Sequence, residues 1–406
     1  MTISSTVTPE PSPQPAAAAR VGRSSSLGIA MGGGGARAAY QVGFLRCLAR
    51  RFPDLEIPYV TGVSAGAINA AHLAAHHGTF SQSVDELTGL WSNLSIEDVF
   101  RVGAGSLTSN VARWGLRVAT GMGRSKAESS LKALVDTAPL RRFLSEALHA
   151  VEGEITGINY NLSAGRLKAV ALTTTDYNTG RSVTWIQGQD IDAWERPNRT
   201  ARHATLTVEH VMASAALPLF FPAVRLGSNW YGDGGLRLSA PLSPVLHLGA
   251  TRIMAISTRY DRSIREAEQP VVRGYPPPVQ VLGVMMNSVF LDLLDQDAWR
   301  LERMNRVLLK IREEEREGLR PIKLLVLRPS VDLGQLANEF EPQLPRAFRF
   351  LTRNLGSRQT QSPDSLSLLM FQPDFLQRLI AIGEQDADAR ADEIEEFITG
   401  EGYEDA

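Results

Sequence analysis

A strand, a glycine-containing turn and a helix occur twice in succession within about fifty residues of this chain. The apolar run Leu27–Met31 precedes four glycines and then a segment whose apolar residues recur at helical spacing. A second apolar run ends near Val60 and leads through a short turn into an alanine-rich segment that Gly78 can terminate. This alternation predicts an α/β fold whose central sheet is mostly parallel and flanked by helices.

Three regions of the chain differ in composition. Residues 1–24 are rich in Ser, Thr, Pro and Ala and lack the basic start and apolar core of a secretory signal, so we expect a disordered leader. Residues 25–260 contain the strand–helix alternation and are predicted to form the main domain. Residues 261–406 are predicted to be a mainly helical extension with one strand at 322–327. It ends in an acidic tail, since residues 384–406 hold ten acids and one base.

Overall composition favours a soluble globular protein. The net charge of −2 gives no reason to expect nucleic acid as a partner. The single cysteine, Cys47, cannot form an intramolecular disulfide and fits a reducing compartment, so we expect a cytoplasmic protein. The longest apolar run, residues 279–291, is too short to cross a bilayer. Any contact with a membrane is therefore expected to be peripheral.

The pentapeptide Gly62-Val63-Ser64-Ala65-Gly66 is the strongest chemical signal. A G-x-S-x-G turn between a strand and a helix places its serine in a strained, exposed position with room provided by the flanking glycines. The N-terminus of the following helix favours negative charge that develops at the serine. We therefore interpret Ser64 as a nucleophile; the alternative is a serine that caps the helix in a tight turn.

The glycines at positions 32–35 present backbone amides to an anion, which is either a nucleotide phosphate or the oxyanion of an acyl-transfer intermediate. A dinucleotide fingerprint fails at Ala38, where its last glycine should stand, and no Walker lysine follows. With G-x-S-x-G less than thirty residues away, an oxyanion hole built from Gly33, Gly34 and Gly35 is the better interpretation.

A third motif, Asp233-Gly234-Gly235, follows a short strand. Taken alone it is typical of an ordinary Asp-Gly turn.

Together, the three motifs resemble those of the patatin-like phospholipase family in their order and spacing. Weaker matches occur at residues 90–100, 136–140 and 213–218, and the resemblance covers about residues 25–260. It implies a three-layer fold and hydrolysis of ester bonds in phospholipids or related glycerolipids, without a cofactor or a metal. It also implies a Ser–Asp dyad in which Ser64 is the nucleophile and Asp233 the base. The residues expected to support the site are Gly32, Arg37, Gly62, Gly66, Gly234 and Gly235.

Two details of the resemblance leave alternatives open. Ala38 stands where the family usually has glycine, so helix packing there is expected to differ. Arg37 either anchors the glycine-rich turn, helps to hold an anionic head group, or is an ordinary arginine on the surface of a helix.

Two other functions remain as alternatives. The chain order Ser64, Asp233, His247 formally fits the triad of an α/β-hydrolase-like esterase, although His247 between two leucines is more typical of a packed structural residue. The second alternative is a non-catalytic lipid-binding scaffold, which would have the same fold but no hydrolase activity.

The expected partner is lipid substrate at a membrane surface. Residues 99–127 contain five bases, no acids and the aromatic residue Trp114. They are predicted to be either a basic amphipathic cap that contacts anionic lipid or a flexible surface insertion. The C-terminal extension is a candidate helical cap, homo-oligomer interface or surface for another partner.

Overall fold

The structure is a computed structural model that describes residues 26–101, 135–262, 293–344 and 364–400, together with residues 266, 268 and 284. The predicted leader, nearly all of the basic segment 99–127 and the last six residues lie outside the described residues.

The described strands form one mixed sheet in the order β10-β9-β1-β2-β3-β4-β6-β5, with β8 pairing to the end of β3 and β7 pairing to β8. Neighbouring strands from β10 to β3 are all parallel, whereas β3 and β4 are antiparallel. The strands are β1 Leu27–Met31, β2 Tyr59–Val63, β3 Ala169–Asp176, β4 Ser182–Gly188, β5 Glu195–Arg196, β6 Arg199–His203, β7 Val224–Leu226, β8 Asn229–Asp233, β9 Arg252–Ile256 and β10 Lys323–Leu327.

Helices cover both faces of this sheet. Successive side chains of a strand point to opposite faces, and in β1 Ile29 and Met31 join one buried cluster while Ala30 joins another. The predicted α/β fold, three layers with a mainly helical C-terminal region, is therefore confirmed. The described helices are α1 Ala39–Arg51, α2 Ala65–Ala75, α3 Phe80–Asn93, α4 Ile96–Val99, α5 Ala138–Ala147, α6 Thr156–Ser163, α7 Val208–Ser214, α8 Ser243–His247, α9 Leu293–Leu308, α10 Leu333–Phe340, α11 Asp364–Leu369, α12 Pro373–Ala389 and α13 Ala391–Thr399.

Residues beyond 260 share the sheet and the core with the residues before them. Strand β10 extends the sheet by pairing with β9 in parallel. Helix α12 packs on α1 at backbone contact: a Cβ at Gly43 would lie 1.9 Å from the Ile380 carbonyl oxygen, and one at Gly383 would lie 2.1 Å from the Tyr40 carbonyl oxygen. Glycine on each helix permits this close approach.

Part of the predicted acidic tail forms the outer side of α12 and α13, where it faces basic residues of α1. Arg50 makes ion pairs with Glu384 (2.6 Å) and Asp388, and Arg51 lies 3.8 Å from Glu395. Such exposed pairs contribute little to stability, on the order of 0–1 kcal/mol each. The acids up to residue 400 thus belong to folded helices.

Replacement of Gly43 by alanine tests the contact between α1 and α12. The new methyl group cannot fit 1.9 Å from a backbone oxygen, so the helices must separate, and we expect the free energy of unfolding to fall by about 2 kcal/mol or more. Gly89→Ala is the matched control, because Gly89 lies in α3 with nothing within 4 Å; alanine there should raise stability by up to about 1 kcal/mol. Urea denaturation measures both, and equal effects would contradict this packing.

Candidate active site

Strand β3 is the common partner of the two strands that carry the predicted site residues. β2 pairs with β3 as far as Val63, which lies opposite Thr173, and Ser64 follows immediately. β8 pairs with the next stretch of β3, where Asp233 lies opposite Thr174. Because β4 occupies the other edge of β3, β2 and β8 lie end to end along one edge. Their ends meet, which brings together two residues that are 169 positions apart.

Ser64 lies in a sharp turn between β2 and α2. Its φ of 56° and ψ of −133° are backbone angles that residues other than glycine rarely adopt, so the turn is strained. The neighbouring glycines make room for it. A Cβ at Gly62 would lie 2.5 Å from the Gly66 carbonyl oxygen, and one at Gly66 would lie 2.4 Å from the carbonyl oxygen of Gly32. The motif therefore has the strand–turn–helix geometry of a nucleophile elbow.

The side chains of Ser64 and Asp233 are hydrogen-bonded to each other. Ser64 Oγ donates to Asp233 Oδ2 at 2.6 Å, and the amide of Gly235 donates to Asp233 Oδ1 at 2.9 Å. Burial raises the pKa of the fully buried Asp233 to about 7, although both hydrogen bonds act to lower it. A carboxyl group with this pKa can exchange a proton near neutral pH, as a general base must.

Gly234 has to be glycine for Asp233 to reach this position. A Cβ at Gly234 would lie 2.0 Å from the Thr173 carbonyl oxygen and 2.8 Å from a methyl group of Val63. The carbonyl of Asp233 is itself fixed by a 2.8 Å hydrogen bond from the Thr175 hydroxyl. The backbone on both sides of the carboxylate is therefore held against β3.

Ser214, at the end of α7, connects the turn at Ser64 to β3. The Ser64 amide donates to Ser214 Oγ at 3.0 Å, and this hydroxyl donates to the Thr173 carbonyl at 2.7 Å. The Ser64 amide is thus engaged within the protein. Sequence reasoning missed this contact, since Ser214 appeared only inside the weaker match at 213–218.

The four glycines at 32–35, called the glycine loop below, pass directly beside Ser64. A Cβ at Gly33 would lie 2.9 Å from the Cβ of Ser64, so only glycine lets the backbone come this close. The Gly33 carbonyl accepts a 2.7 Å hydrogen bond from the Thr258 hydroxyl. Within the described residues the amides of Gly33 and Gly34 donate no hydrogen bond, so both remain available to a ligand.

The far side of the glycine loop rests on the C-terminal extension. Gly35 has a φ of 54°, and a Cβ there would lie 2.1 Å from the Leu368 carbonyl oxygen in α11. Arg37 is only 3% exposed, and its Nε donates a 2.6 Å hydrogen bond to Ser367 Oγ. Arg37 is therefore not a surface arginine. It links the end of the loop to α11, and Ser367 and Leu368 are contacts that no sequence motif indicated.

None of the seven histidines hydrogen-bonds to Ser64 or Asp233 in the described structure. Nδ1 of His247 lies 2.8 Å from the Ser243 carbonyl oxygen, and its ring packs on Trp194 with 4.5 Å between centroids. These contacts belong to α8 and its surroundings. The structure thus brings Ser64 and Asp233 together and does not place His247 with them.

Ser64 faces an apolar pocket between α2, α3 and α5. Its cavity volume is about 40 Å³, and all the space between the lining atoms, open mouth included, is about 730 Å³. The walls are almost entirely hydrocarbon; among the described residues that form them are Ile68, Leu87, Trp91, Leu144, Phe221 and Phe371. Such walls suit a long apolar group and offer few partners to a polar one.

Two features are absent from the described residues. No three or more His, Cys, Asp or Glu side chains gather where they could hold a metal ion. Within the same residues, no helix has both the length and the apolar character needed to span a bilayer.

Several solved structures are similar to this chain at low sequence identity. VipD from Legionella pneumophila shares 12% identity over 87% of this chain and 67% of its own, with a TM-score of 0.31. Human GIVD cytosolic phospholipase A2 shares 12% identity over 92% of this chain, with a TM-score of 0.45. The type III effector ExoU of Pseudomonas aeruginosa shares 14% identity over 91% of this chain, with a TM-score of 0.32. This chain spans 60% of the human chain and 53% of ExoU.

These TM-scores are too low to carry an argument about function, and no curated protein sequence matches the chain. The family model of the patatin-like phospholipases does match, over residues 29–246. That range includes the glycine loop, the turn at Ser64 and Asp233, and it is more than half of the chain. The resemblance seen in the sequence is thereby confirmed, and the chain belongs to the patatin-like phospholipase family.

Proposed function

We propose that the protein is a lipid acyl hydrolase that cleaves ester bonds of phospholipids or related glycerolipids through a Ser64–Asp233 dyad. The observation that supports this most is the 2.6 Å hydrogen bond between the two side chains at the edge of an apolar pocket. Membership of a phospholipase family supports the substrate class.

The first half of the reaction forms an acyl-enzyme. Asp233 accepts the proton of Ser64 as Oγ attacks the ester carbonyl carbon, and the carbonyl oxygen becomes an oxyanion. When the intermediate collapses, the carbon–oxygen bond to the alcohol breaks and Asp233 gives its proton to the departing alkoxide. A pKa of about 7 suits both directions of transfer, because the proton is neither held too tightly nor too weakly.

Stabilisation of the oxyanion is assigned to the glycine loop. Gly33 passes beside Ser64 and its amide donates no hydrogen bond within the described residues, whereas the Ser64 amide is already bonded to Ser214. Donors fixed in advance cost little reorganisation when charge develops, and each is typically worth ~10²–10³ in turnover. In the second half of the reaction, Asp233 deprotonates a water molecule that attacks the acyl group, and Ser64 recovers its proton as it leaves.

The pocket next to Ser64 is proposed to hold the acyl chain of the substrate. A hydrocarbon chain gains about 0.8 kcal/mol for each methylene that leaves water. Among the described lining residues, no buried side-chain nitrogen or oxygen lacks a hydrogen-bond partner. The head group would then remain outside, at a membrane surface. A cytoplasmic location and peripheral contact with membrane complete the proposal.

Covalent labelling tests this function directly. A fluorophosphonate carrying an alkyl chain should add once per chain, as measured by intact mass, and peptide mapping should place the adduct on Ser64. Purified enzyme should also release free fatty acid from phosphatidylcholine vesicles. A folded protein that neither takes the label nor releases fatty acid would contradict the proposal and favour the alternative of a non-catalytic scaffold.

Replacement of Gly33 by alanine tests the role of the glycine loop. The new methyl group would lie 2.9 Å from the Cβ of Ser64 and displace the adjacent amides, so we expect kcat to fall about 10²-fold. Gly89→Ala is the matched control, because Gly89 lies in α3 outside the loop and a Cβ there would meet nothing within 4 Å. Steady-state kinetics on a soluble ester measures both, and similar losses would argue against this assignment.

A further inference from the structure

The apolar pocket beside Ser64 has a neighbouring cavity of different character. His72, Ala147 and Leu148 line both spaces and therefore stand between them. The second cavity, called the histidine cavity below, is also lined by His76, His77, Glu86 and His149. One space is thus almost entirely hydrocarbon, and the other is rich in ionisable groups.

Helix α2 sets the distance from Ser64 to this partition. Ile68 and His72 follow Ser64 by four and eight residues, so they lie on one face of the helix along the same pocket. Eight residues of helix correspond to about 12 Å at ~1.5 Å per residue. An extended chain advances about 1.2 Å per bond, so roughly ten carbons span that distance.

The His72 ring is held firmly at this position. It is 3% exposed, and its Nε2 lies 3.0 Å from the carbonyl oxygen of Ser83 in α3, where it must act as donor. Burial lowers the pKa of His72, although Glu86 and nearby carbonyl groups act to raise it. The ring is therefore neutral at neutral pH, as befits a group that closes an apolar pocket.

The histidine cavity is a poor environment for hydrocarbon. Glu86 lies 3.2 Å from His76 Nε2 and 3.5 Å from His149 Nε2. A longer acyl chain would have to displace the partition and then separate these groups from each other or from water.

We propose that His72, together with Ala147 and Leu148, is the specificity-determining floor that limits the acyl chain to about ten carbons. This inference rests on the proposed function, since it takes the pocket to be the acyl-binding pocket. According to this proposal, the C-terminal ends of α2 and α5 together determine which acyl-chain lengths the enzyme prefers.

The test compares octanoyl and palmitoyl p-nitrophenyl esters in mixed micelles of one neutral detergent. The measured quantity is the ratio of kcat/KM for palmitate to that for octanoate, which cancels general losses of activity. We expect His72→Ala and Leu148→Ala each to raise this ratio about tenfold. Ala147→Leu, which fills the pocket end, should lower it. Leu48→Ala is the control, because Leu48 is a fully buried residue of α1 outside the pocket lining.

The outcomes are distinguishable. An unchanged ratio in folded His72→Ala and Leu148→Ala would overturn the proposal while hydrolysis by the wild type still supported the proposed function. Circular dichroism shows whether His72→Ala and Leu148→Ala, which enlarge the pocket, are folded. If they are not, the Ala147→Leu variant tests the proposal, and an unchanged kcat/KM ratio in that variant overturns it. Failure of the wild type to hydrolyse either ester would overturn both the function and this inference.

Discussion

Replacement of Ser64 by alanine is expected to abolish ester hydrolysis, with kcat at least about 10⁴-fold below wild type. The change removes the only nucleophile proposed for the acyl-enzyme. Any residual activity then comes from stabilisation of the oxyanion by the glycine loop and from binding of the substrate. In serine hydrolases with a triad, loss of the serine costs on the order of 10⁶ in kcat, which is the basis for this estimate. The measurement is release of fatty acid or p-nitrophenol under saturating substrate.

The Ser64→Ala variant should also fold, with a loss of stability of at most about 1–3 kcal/mol, because the buried carboxyl group of Asp233 loses one donor. Serine and alanine both have to adopt the positive φ of position 64, so the backbone strain is similar in the two proteins. The alanine side chain is no larger than that of serine, so it makes no new contact. The hydrogen bond of Ser64 to Asp233 is lost, which leaves one carboxylate oxygen without that donor. Thermal unfolding and circular dichroism provide the control. Retention of more than about a hundredth of wild-type activity in this variant would rule out Ser64 as the nucleophile.

Replacement of Asp233 by asparagine is expected to reduce kcat by roughly 10³-fold, since general-base catalysis typically contributes ~10²–10⁴. Asparagine keeps the shape of the side chain and an oxygen that can accept the Ser64 hydroxyl hydrogen, yet it cannot take up a proton. Wild-type kcat/KM should rise with pH around 7, where Asp233 ionises, and this rise should be absent from the residual activity of the variant. His247→Ala is the parallel control, and a comparable loss there would favour the triad.

The stability of the same Asp233→Asn variant, taken relative to that of the wild type, should increase as the pH rises. The pKa of Asp233 is about 7 in the folded protein and near 3.8 when unfolded. Between these values the folded state binds more protons, so wild-type stability falls as pH rises through this window. Asparagine has no charge to bury. This relative stability should increase from about pH 4 to pH 7 by at most about 4 kcal/mol, and then stay constant.

Urea denaturation at three pH values measures this effect. Asp85→Asn is a suitable control, because Asp85 is an exposed residue of α3. A stability gap that did not change between pH 4 and pH 8 would show that Asp233 is not buried as a carboxylate.

Local patterns allowed the turn at Ser64 to be predicted from the sequence. The motif is only five residues long. The spacing of its glycines, the apolar strand before it and the helix after it together indicate a nucleophile. The glycine loop was interpretable for the same reason. Asp233 alone looked like an ordinary turn, because its place depends on two strands that share one edge of β3. Only the family resemblance supplied that long-range information.

Other features of the site depend on contacts that no local pattern encodes. Ser214 meets Ser64 across 150 positions, and Ser367 meets Arg37 across 330. The pKa of Asp233 likewise follows from its complete burial, which the whole fold determines. The strand at 322–327 was predicted, whereas its pairing with β9 in the main sheet was not. The boundary placed at residue 260 remains a prediction about domains, although the sheet and the core continue across it.

The contact between the glycine loop and α11 has a consequence for synthesis on the ribosome. Chains emerge from the N-terminus and begin to fold as they appear, so β1, the glycine loop and Ser64 are among the first segments available. Their final support, from Ser367, Leu368 and then α12, is translated some three hundred residues later. We expect nascent chains that end before residue 364 to contain Ser64 and Asp233 and yet to resist labelling by a fluorophosphonate. Activity would then appear only near the end of translation.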